Sequence, residues 1–399
     1  MLLLLLLTAC SNAPYRPQAV DDETLLSRSV TQQADNISVS AFAPGAIETE
    51  QIFGAPLYER GIQPVWLQIR NDSPTPLRFA PYSVDAEYFP PLEVADIQRK
   101  RFSKQGWKDM QEYLYYRSLP RRIDVGQTVS GYIFPTLVEG TTAFNVELFR
   151  VSQAPEAEQF TFFLEVDGFK PDHADVDFHS LYTEDVITDV DIDGLRRLLT
   201  EMPCCSTNRD GSGNGKPVNI VLVGKGRTLL QALLRAHWSE TQYDKDENYL
   251  AAADYLYGRP PDAIFRKKRG RATDRSELNI WLAPIRSNGQ PVWLAQFKHA
   301  IGRRFEIEEV FLGTQMDPDV DDGRNYLLQD LWYSQALSWL GLSFSGTPVT
   351  RDNPRYNFRN NPYFTDGYRH VMGLSDTPVS IDSTELLFWD DATPTGADE

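Results

Sequence analysis

Four aspartates fall within "MDPDVDDG": Asp317, Asp319, Asp321 and Asp322. Carboxylates at alternate positions offer hard oxygen ligands to a cation such as Ca²⁺, so Asp317, Asp319 and Asp321 are candidate metal ligands. Gly323 stands one place late for an EF-hand loop, and Leu328 occupies the place of its last, bidentate carboxylate. "DVDIDG", at 189–194, begins such a loop better but carries Thr200 at that place. Both stretches read first as helix starts, where acidic side chains cap the first turn and face the positive end of the helix dipole, with the metal site as the alternative. His299 lies upstream of the aspartates. Together with Asp317 it forms a candidate catalytic pair, provided the fold brings the two into one polar cleft. The chain holds 5 histidines, and no two share an HExxH spacing. A Gly-x-Ser-x-Gly nucleophile elbow is absent. "LVGKGRTLLQALL" has the outline of a phosphate loop but lacks its Lys-Ser/Thr and the third glycine of a dinucleotide fingerprint. No cofactor is therefore expected. The segment 259–275, "RPPDAIFRKKRGRATDR", gathers basic residues. It reads as a solvated loop, with anion or lipid-headgroup binding as the alternative.

The elements that must position these residues divide into two textures. From Asn36 to about 168, "ISVSAF", "PVWLQIRND", "TVSGYIFPTL", "AFNVELF" and "FTFFLEV" alternate apolar and polar residues between turn signals, as in a β-sandwich. Residues 92–119 break that pattern with helical spacing of Ile97, Phe102, Met110, Tyr113 and Leu114, interrupted by Gly106, and read as a helical insertion. The turn and strand of "DVGQTVSGYIF" resemble bacterial immunoglobulin-like domains. From 169 to 389 strands alternate with helices. "VNIVLVG" is a strand buried on both faces. "TLLQALLRAHW" is its helix, "ELNIWLAPI" and "PVWLAQFKHAIG" form a hairpin, and "NYLLQDLWYSQALSWLG" reads as one amphipathic helix. The fold class expected is α+β, an N-terminal β-sandwich with a helical insertion followed by a mixed α/β sheet domain. Residues 390–399 read as a disordered tail.

The chain opens on "MLLLLLLTAC". The leucine run is too short to span a bilayer, which takes about 20 residues. Leu7-Thr8-Ala9-Cys10 resembles the lipobox of bacterial lipoproteins, although no Lys or Arg precedes the leucines. On that reading residues 1–9 are a signal peptide, Cys10 carries lipid, and the polar, proline-containing stretch 10–35 is a tether. Ser11, in place of an aspartate, points to the outer membrane facing the periplasm. The remaining cysteines, Cys204 and Cys205, are adjacent. They read as two small thiols at a turn, with a strained vicinal disulfide as the alternative. With 39 basic against 56 acidic residues the net charge is −17, which excludes nucleic acid as the main partner.

"GKPVNIVLVG", "LYGRPPDAIFRK", "LNIWLAPIRSNGQPVWLAQF", "DPDVDDGRNYLLQDLWYSQAL" and "NPYFTDGYRHV" together resemble the LssY C-terminal domain family of bacteria, over about 186–375. That resemblance implies an envelope protein, without an established activity of the domain. The expectation is a cell-envelope lipoprotein with a non-catalytic binding or scaffolding role at a membrane surface, its partner an envelope protein or lipid headgroup. The alternative is an envelope hydrolase acting on a phosphate or lipid substrate through the C-terminal domain.

Overall fold

Alternation decides the first half of the chain. In the strands β1 (Val30–Ala34), β2 (Ile37–Phe42), β3 (Val65–Asn71), β4 (Leu77–Ala80), β5 (Arg122–Ile123), β6 (Thr128–Ile133), β7 (Thr142–Arg150) and β8 (Ala157–Leu164), successive side chains point to opposite faces. They form two four-stranded antiparallel sheets, ordered β1-β2-β3-β6 and β5-β4-β7-β8. Ile37, Val39, Val65, Leu67 and Ile69 of the first sheet share one core with Leu77, Phe79, Val146, Leu148, Phe160 and Phe162 of the second, which makes a sandwich. The intervening residues Phe42, Trp66 and Tyr132 face the other way. There α1 (Asp22–Ser27), α2 (Ala46–Phe53), α3 (Pro91–Ile97) and α4 (Lys104–Arg117) cover them through Leu25, Ile52, Phe53, Val94, Met110 and Leu114. The helical insertion is thus two helices, the second begun by Ser103, whose Oγ accepts from Gly106 N at 3.0 Å.

The computed structural model describes residues 13–387 and 389, apart from 86, 139, 152–156, 167, 244–245, 269–274 and 306–311, and only the backbone of 268, 302–305 and 312–315. Residues 1–9, read as a signal peptide, Cys10, read as the lipidation site, and the stretch 390–399, read as a tail, lie outside the described residues. The chain forms two units, Met1–Phe169 and Lys170–Glu399. One expectation fails in the first unit. From residue 13 the stretch read as a tether belongs to the fold. The Tyr15 ring packs edge-on against Phe102 and Tyr113, at 5.4 and 5.8 Å, Leu25 is fully buried, and β1 pairs with β2. A few widely spaced apolar anchors suffice to hold a polar segment, and their spacing carries no period to read.

The second unit is built on one ten-stranded mixed sheet. Its elements run β9 (Thr188–Val190), α5 (Ile192–Glu201), β10 (Cys205–Thr207), β11 (Asn214–Pro217), β12 (Ile220–Val223), α6 (Gly226–Arg235), β13 (Ser239–Glu240), α7 (Glu247–Ala252), β14 (Ala263–Lys268), β15 (Arg275–Ser287), β16 (Gln290–Phe305), β17 (Leu312–Met316), α8 (Val320–Tyr333), β18 (Leu337–Phe344), β19 (Arg355–Tyr356), β20 (Pro362–Tyr363), β21 (Tyr368–Leu374) and β22 (Glu385–Leu387). The sheet order is β13-β14-β15-β16-β12-β21-β18-β22, with β9 on β15 and β17 on β16. β12 lies between β16, antiparallel, and β21, parallel, and all four of its residues are buried. Leu229 and Leu233 of α6 and Leu327 and Leu331 of α8 cover one face, while Leu195 and Leu199 of α5 pack with Val221, Leu294 and Val371 on the other. Gly323 lets α8 close on the sheet, because a Cβ there would stand 2.4 Å from Phe297 Cδ1.

Two local readings are corrected. The helix of "NYLLQDLWYSQALSWLG" stops at Tyr333 and the rest becomes β18. Gln335 turns left-handed (φ 58°), and Ala336 N and Gln335 N donate back to Leu331 O and Trp332 O, each at 2.9 Å, which closes the helix as a Schellman motif. Cys204 and Cys205 form a disulfide with each other and are not free thiols.

Candidate functional site

Strand register builds the site's back wall. β15 and β16 pair Glu277 with Lys298 and Asn279 with Gln296, so these side chains stand together on one face. The β10–β11 hairpin adds Ser206 and Lys216. Asp254 follows the end of α7, and Arg359 sits in the turn between β19 and β20, where Asn357 Oδ1 accepts from Arg359 N at 3.0 Å and Asn361 N at 2.9 Å. Lys216, Asp254, Glu277, Gln296, Lys298, Asn357, Arg359 and Asn361 border a cavity of about 160 Å³ whose lining also includes Arg275, Ala300 and Met316. A neighbouring hollow of about 170 Å³ shares Asp254, Glu277, Lys298 and Arg359.

Asp254 and Lys216 are buried, Lys298, Glu277 and Arg359 are half-buried, and the charges are linked. Lys298 Nζ stands 2.8 Å from Asp254 Oδ2 and 3.8 Å from Glu277 Oε1, and Arg359 Nη2 is 3.5 Å from Asp254 Oδ2. Ser206 Oγ donates to Asp254 Oδ1 at 3.1 Å and accepts from Gln296 Nε2 at 3.1 Å. Tyr243 donates to Glu277 Oε2 at 2.6 Å. Burial opposes ionisation of Asp254, but Lys298 and Arg359 outweigh it and hold the carboxyl below the usual carboxylate range. Lys216 is 6 % exposed. One of its three N–H donors goes to Asp317 O, at 2.8 Å. Burial lowers its pKa from 10.5 to about 8, against the pull of Asp317 and Asp254 and with a smaller push from Lys298. The buried Gln296 Oε1 has no partner among the described residues. Four cations, Lys216, Arg275, Lys298 and Arg359, thus face two carboxylates in a chain of net charge −17. The arrangement can hold an anion: it offers charged donors, and around the buried Lys216 water screens them little.

The residues singled out by sequence flank this cavity without lining it. His299 Nδ1 lies 3.6 Å from Asp317 Oδ2, too long for a hydrogen bond, and Asp317 N donates to His299 O at 2.8 Å. The cavity wall uses their neighbours Lys298, Ala300 and Met316. Asp319 and Asp321 are engaged in other contacts. Asp319 Oδ1 caps α8, accepting from Asp321 N at 3.1 Å and Asp322 N at 3.3 Å. Asp321 accepts from Thr365 Oγ1 at 2.9 Å and Asp366 N at 2.6 Å, with Arg324 at 3.5 Å. In "DVDIDG", Asp191 caps α5 through Gly194 N at 2.7 Å. Among the described residues no group of three or more His, Cys, Asp or Glu side chains is placed to hold a metal ion.

The basic segment 259–275 is largely ordered, against the loop expectation. Arg259 bonds both oxygens of Asp262, at 2.7 and 3.0 Å, and Lys267 pairs with Asp330 at 2.8 Å. Its part 269–274 lies outside the described residues. Of the two histidines whose apolar neighbours imply hydrogen-bonded packing, His237 departs from that role and His370 keeps the burial. His237 is exposed in a left-handed turn after α6. His370 is buried, with its pKa lowered to about 4 by burial and by Arg324, and its Nδ1 has no partner among the described residues.

Sequence reasoning missed Lys216, Asp254, Gln296 and Arg359. Single charges inside apolar text, such as Lys216 in "GKPVNIVLVG" and Asp254 in "AAADYLYG", were the available signal. Residues 198–368, which contain the whole cavity lining, match the family model described as LssY C-terminus. The curated proteins contain no match to the chain.

Proposed function

We propose that this chain, whose residues 198–368 belong to the LssY C-terminus family, is a binding protein of the bacterial cell envelope that captures a small anion in its C-terminal unit. The observation that carries the reading is Lys216, a buried lysine with two donors left for a ligand, facing Lys298 and Arg359 across a cavity of anion size. Maintaining a cation there costs free energy, and a bound anion repays it. Phosphate, sulfate or carboxylate fits, and an envelope headgroup carrying such a group is the natural ligand. Calorimetry with inorganic phosphate tests the idea. Wild type binds one equivalent and Lys216→Met loses binding. No saturable binding by wild type, or equal binding by the variant, would sink it.

Membrane attachment rests on the lipobox at Leu7–Cys10. With acyl chains on Cys10, anchoring is stable, since each buried CH₂ contributes about 0.8 kcal/mol. Cys10→Ser moves the protein from the detergent-extracted membrane to the soluble fraction. Unchanged fractionation refutes the anchor. Hydrolysis remains the weaker alternative. It would require His299 and Asp317 to face a substrate, and their neighbours, not they, line the cavity.

A further inference from the structure

A larger cavity lies elsewhere in the second unit. It measures about 740 Å³ and shares no lining residue with the anion pocket. Ligand sites of small molecules span about 300–1,000 Å³ and are mostly apolar with a few placed polar groups. This one fits that description. Its floor is Phe265, Leu282 and Trp293 of the sheet, and one wall is Leu229 and Leu230 of α6. Gly226 lets α6 start close to the floor, since a Cβ there would stand 3.3 Å from Trp293 Cζ2.

The opposite wall is a strap, residues 172–187. Phe178 on it packs edge-on to Trp293, with ring centroids 5.4 Å apart. The strap is pinned along its length. Tyr243 N donates to Asp172 Oδ1 at 2.7 Å, and His173 Nε2 lies 2.7 Å from Glu240 Oε1. Tyr182 donates to Leu282 O at 2.9 Å, and both oxygens of Glu184 accept from Arg286 at 2.8 Å. Apart from Phe178, the strap holds its place by polar contacts, and the apolar space between it and α6 is left for an occupant. The strap precedes residues 198–368, the segment that the family model matches.

Charge identifies the occupant's head. Of the two arginines at the rim, Arg286 is neutralised by Glu184, whereas the exposed Arg227 has no partner among the described residues. One spare guanidinium matches one negative charge, and its fork matches a carboxylate. We propose that the cavity binds a long-chain fatty acid, with its chain between Leu230, Leu282 and Trp293 and its carboxylate at Arg227.

The test is equilibrium dialysis of oleate and of uncharged oleyl alcohol against the full chain, with tryptophan emission as a second readout of contact at Trp293. One oleate binds per chain. Arg227→Gln weakens oleate about tenfold, the loss expected for a hydrogen bond to a charged group, and leaves oleyl alcohol unchanged. Leu230→Trp and, from the strap side, Ile187→Trp fill the cavity and abolish both ligands at an unchanged melting temperature. Absence of saturable oleate binding by wild type overturns the proposal, as does full binding by a folded cavity-filled variant. Equal affinity for the alcohol and the acid overturns the assignment of the head to Arg227.

Discussion

Raising the pH through 8 should switch off the anion pocket through one residue. Lys216 titrates at about 8 in the folded protein, from an ordinary 10.5, because burial disfavours its charge. Each pKa unit is 1.36 kcal/mol, so the folded state carries a penalty of about 3 kcal/mol for this charge at neutral pH. Below pH 8 the lysine is charged both folded and unfolded, and the penalty is present in full. Between about 8 and 10.5 the unfolded chain holds the proton and the folded one does not, so stability rises with pH over that window. An anion reverses the balance by restoring the charged form. Sulfate is the ligand of choice, since it does not titrate in this range. At pH 8 half the pockets are unprotonated, so sulfate binding should take up about half a proton, against nearly none below pH 7. Above pH 8 affinity should fall by up to about tenfold per unit. Calorimetry in two buffers of different ionisation enthalpy reads both quantities. Lys216→Met is a poor stability probe, because relief of the penalty is offset by the Asp317 carbonyl left without its donor, at about 1–3 kcal/mol. Its use is to abolish sulfate binding and the linked proton. Sulfate binding without proton uptake at pH 8, or with affinity flat from pH 7 to 9.5, would refute the reasoning.

Asp319→Ala removes the cap of α8 and should cost about 1 kcal/mol, a fall of roughly 2–4 °C in a calorimetric scan. Asp319→Asn keeps the cap and Ca²⁺ leaves the melting temperature unchanged in wild type; a Ca²⁺-dependent shift of several degrees would restore the metal reading. Reducing Cys204–Cys205 should cost only about 1 kcal/mol, since the bond closes almost no loop, and a loss of the cooperative transition on reduction would contradict that. Arg369→Met should destabilise by about 3 kcal/mol or more in denaturant titration, because Arg369 is 1 % exposed and donates to the carbonyls of Val218, Leu199 and Pro203. A loss under 1 kcal/mol would mean that water takes over those carbonyls.

Local pattern alone determined a good part of this protein. The alternation in "ISVSAF" and "PVWLQIRND" gave a sandwich strand each, because period two leaves only one way to bury Val39 and Leu67. The unbroken "VNIVLVG" marked a strand with both faces covered, and Asn288-Gly289 marked the hairpin turn between β15 and β16. The helix start at Asp319 was legible as one of two readings, since a cap and a metal ligand ask for the same carboxylate. Tertiary structure decided the rest. "ALSWLG" suits helix or strand, and its pairing with β21 made it β18. Residues 13–35 joined the fold through a few apolar anchors and the β1–β2 ladder, which leave no apolar period. Above all, the pocket gathers Lys216, Asp254, Lys298 and Arg359 from a hairpin, a helix end, a strand and a turn. Each sits among neighbours that say nothing of the others, because electrostatic partnership depends on distance in space and burial, and neither is written along the chain.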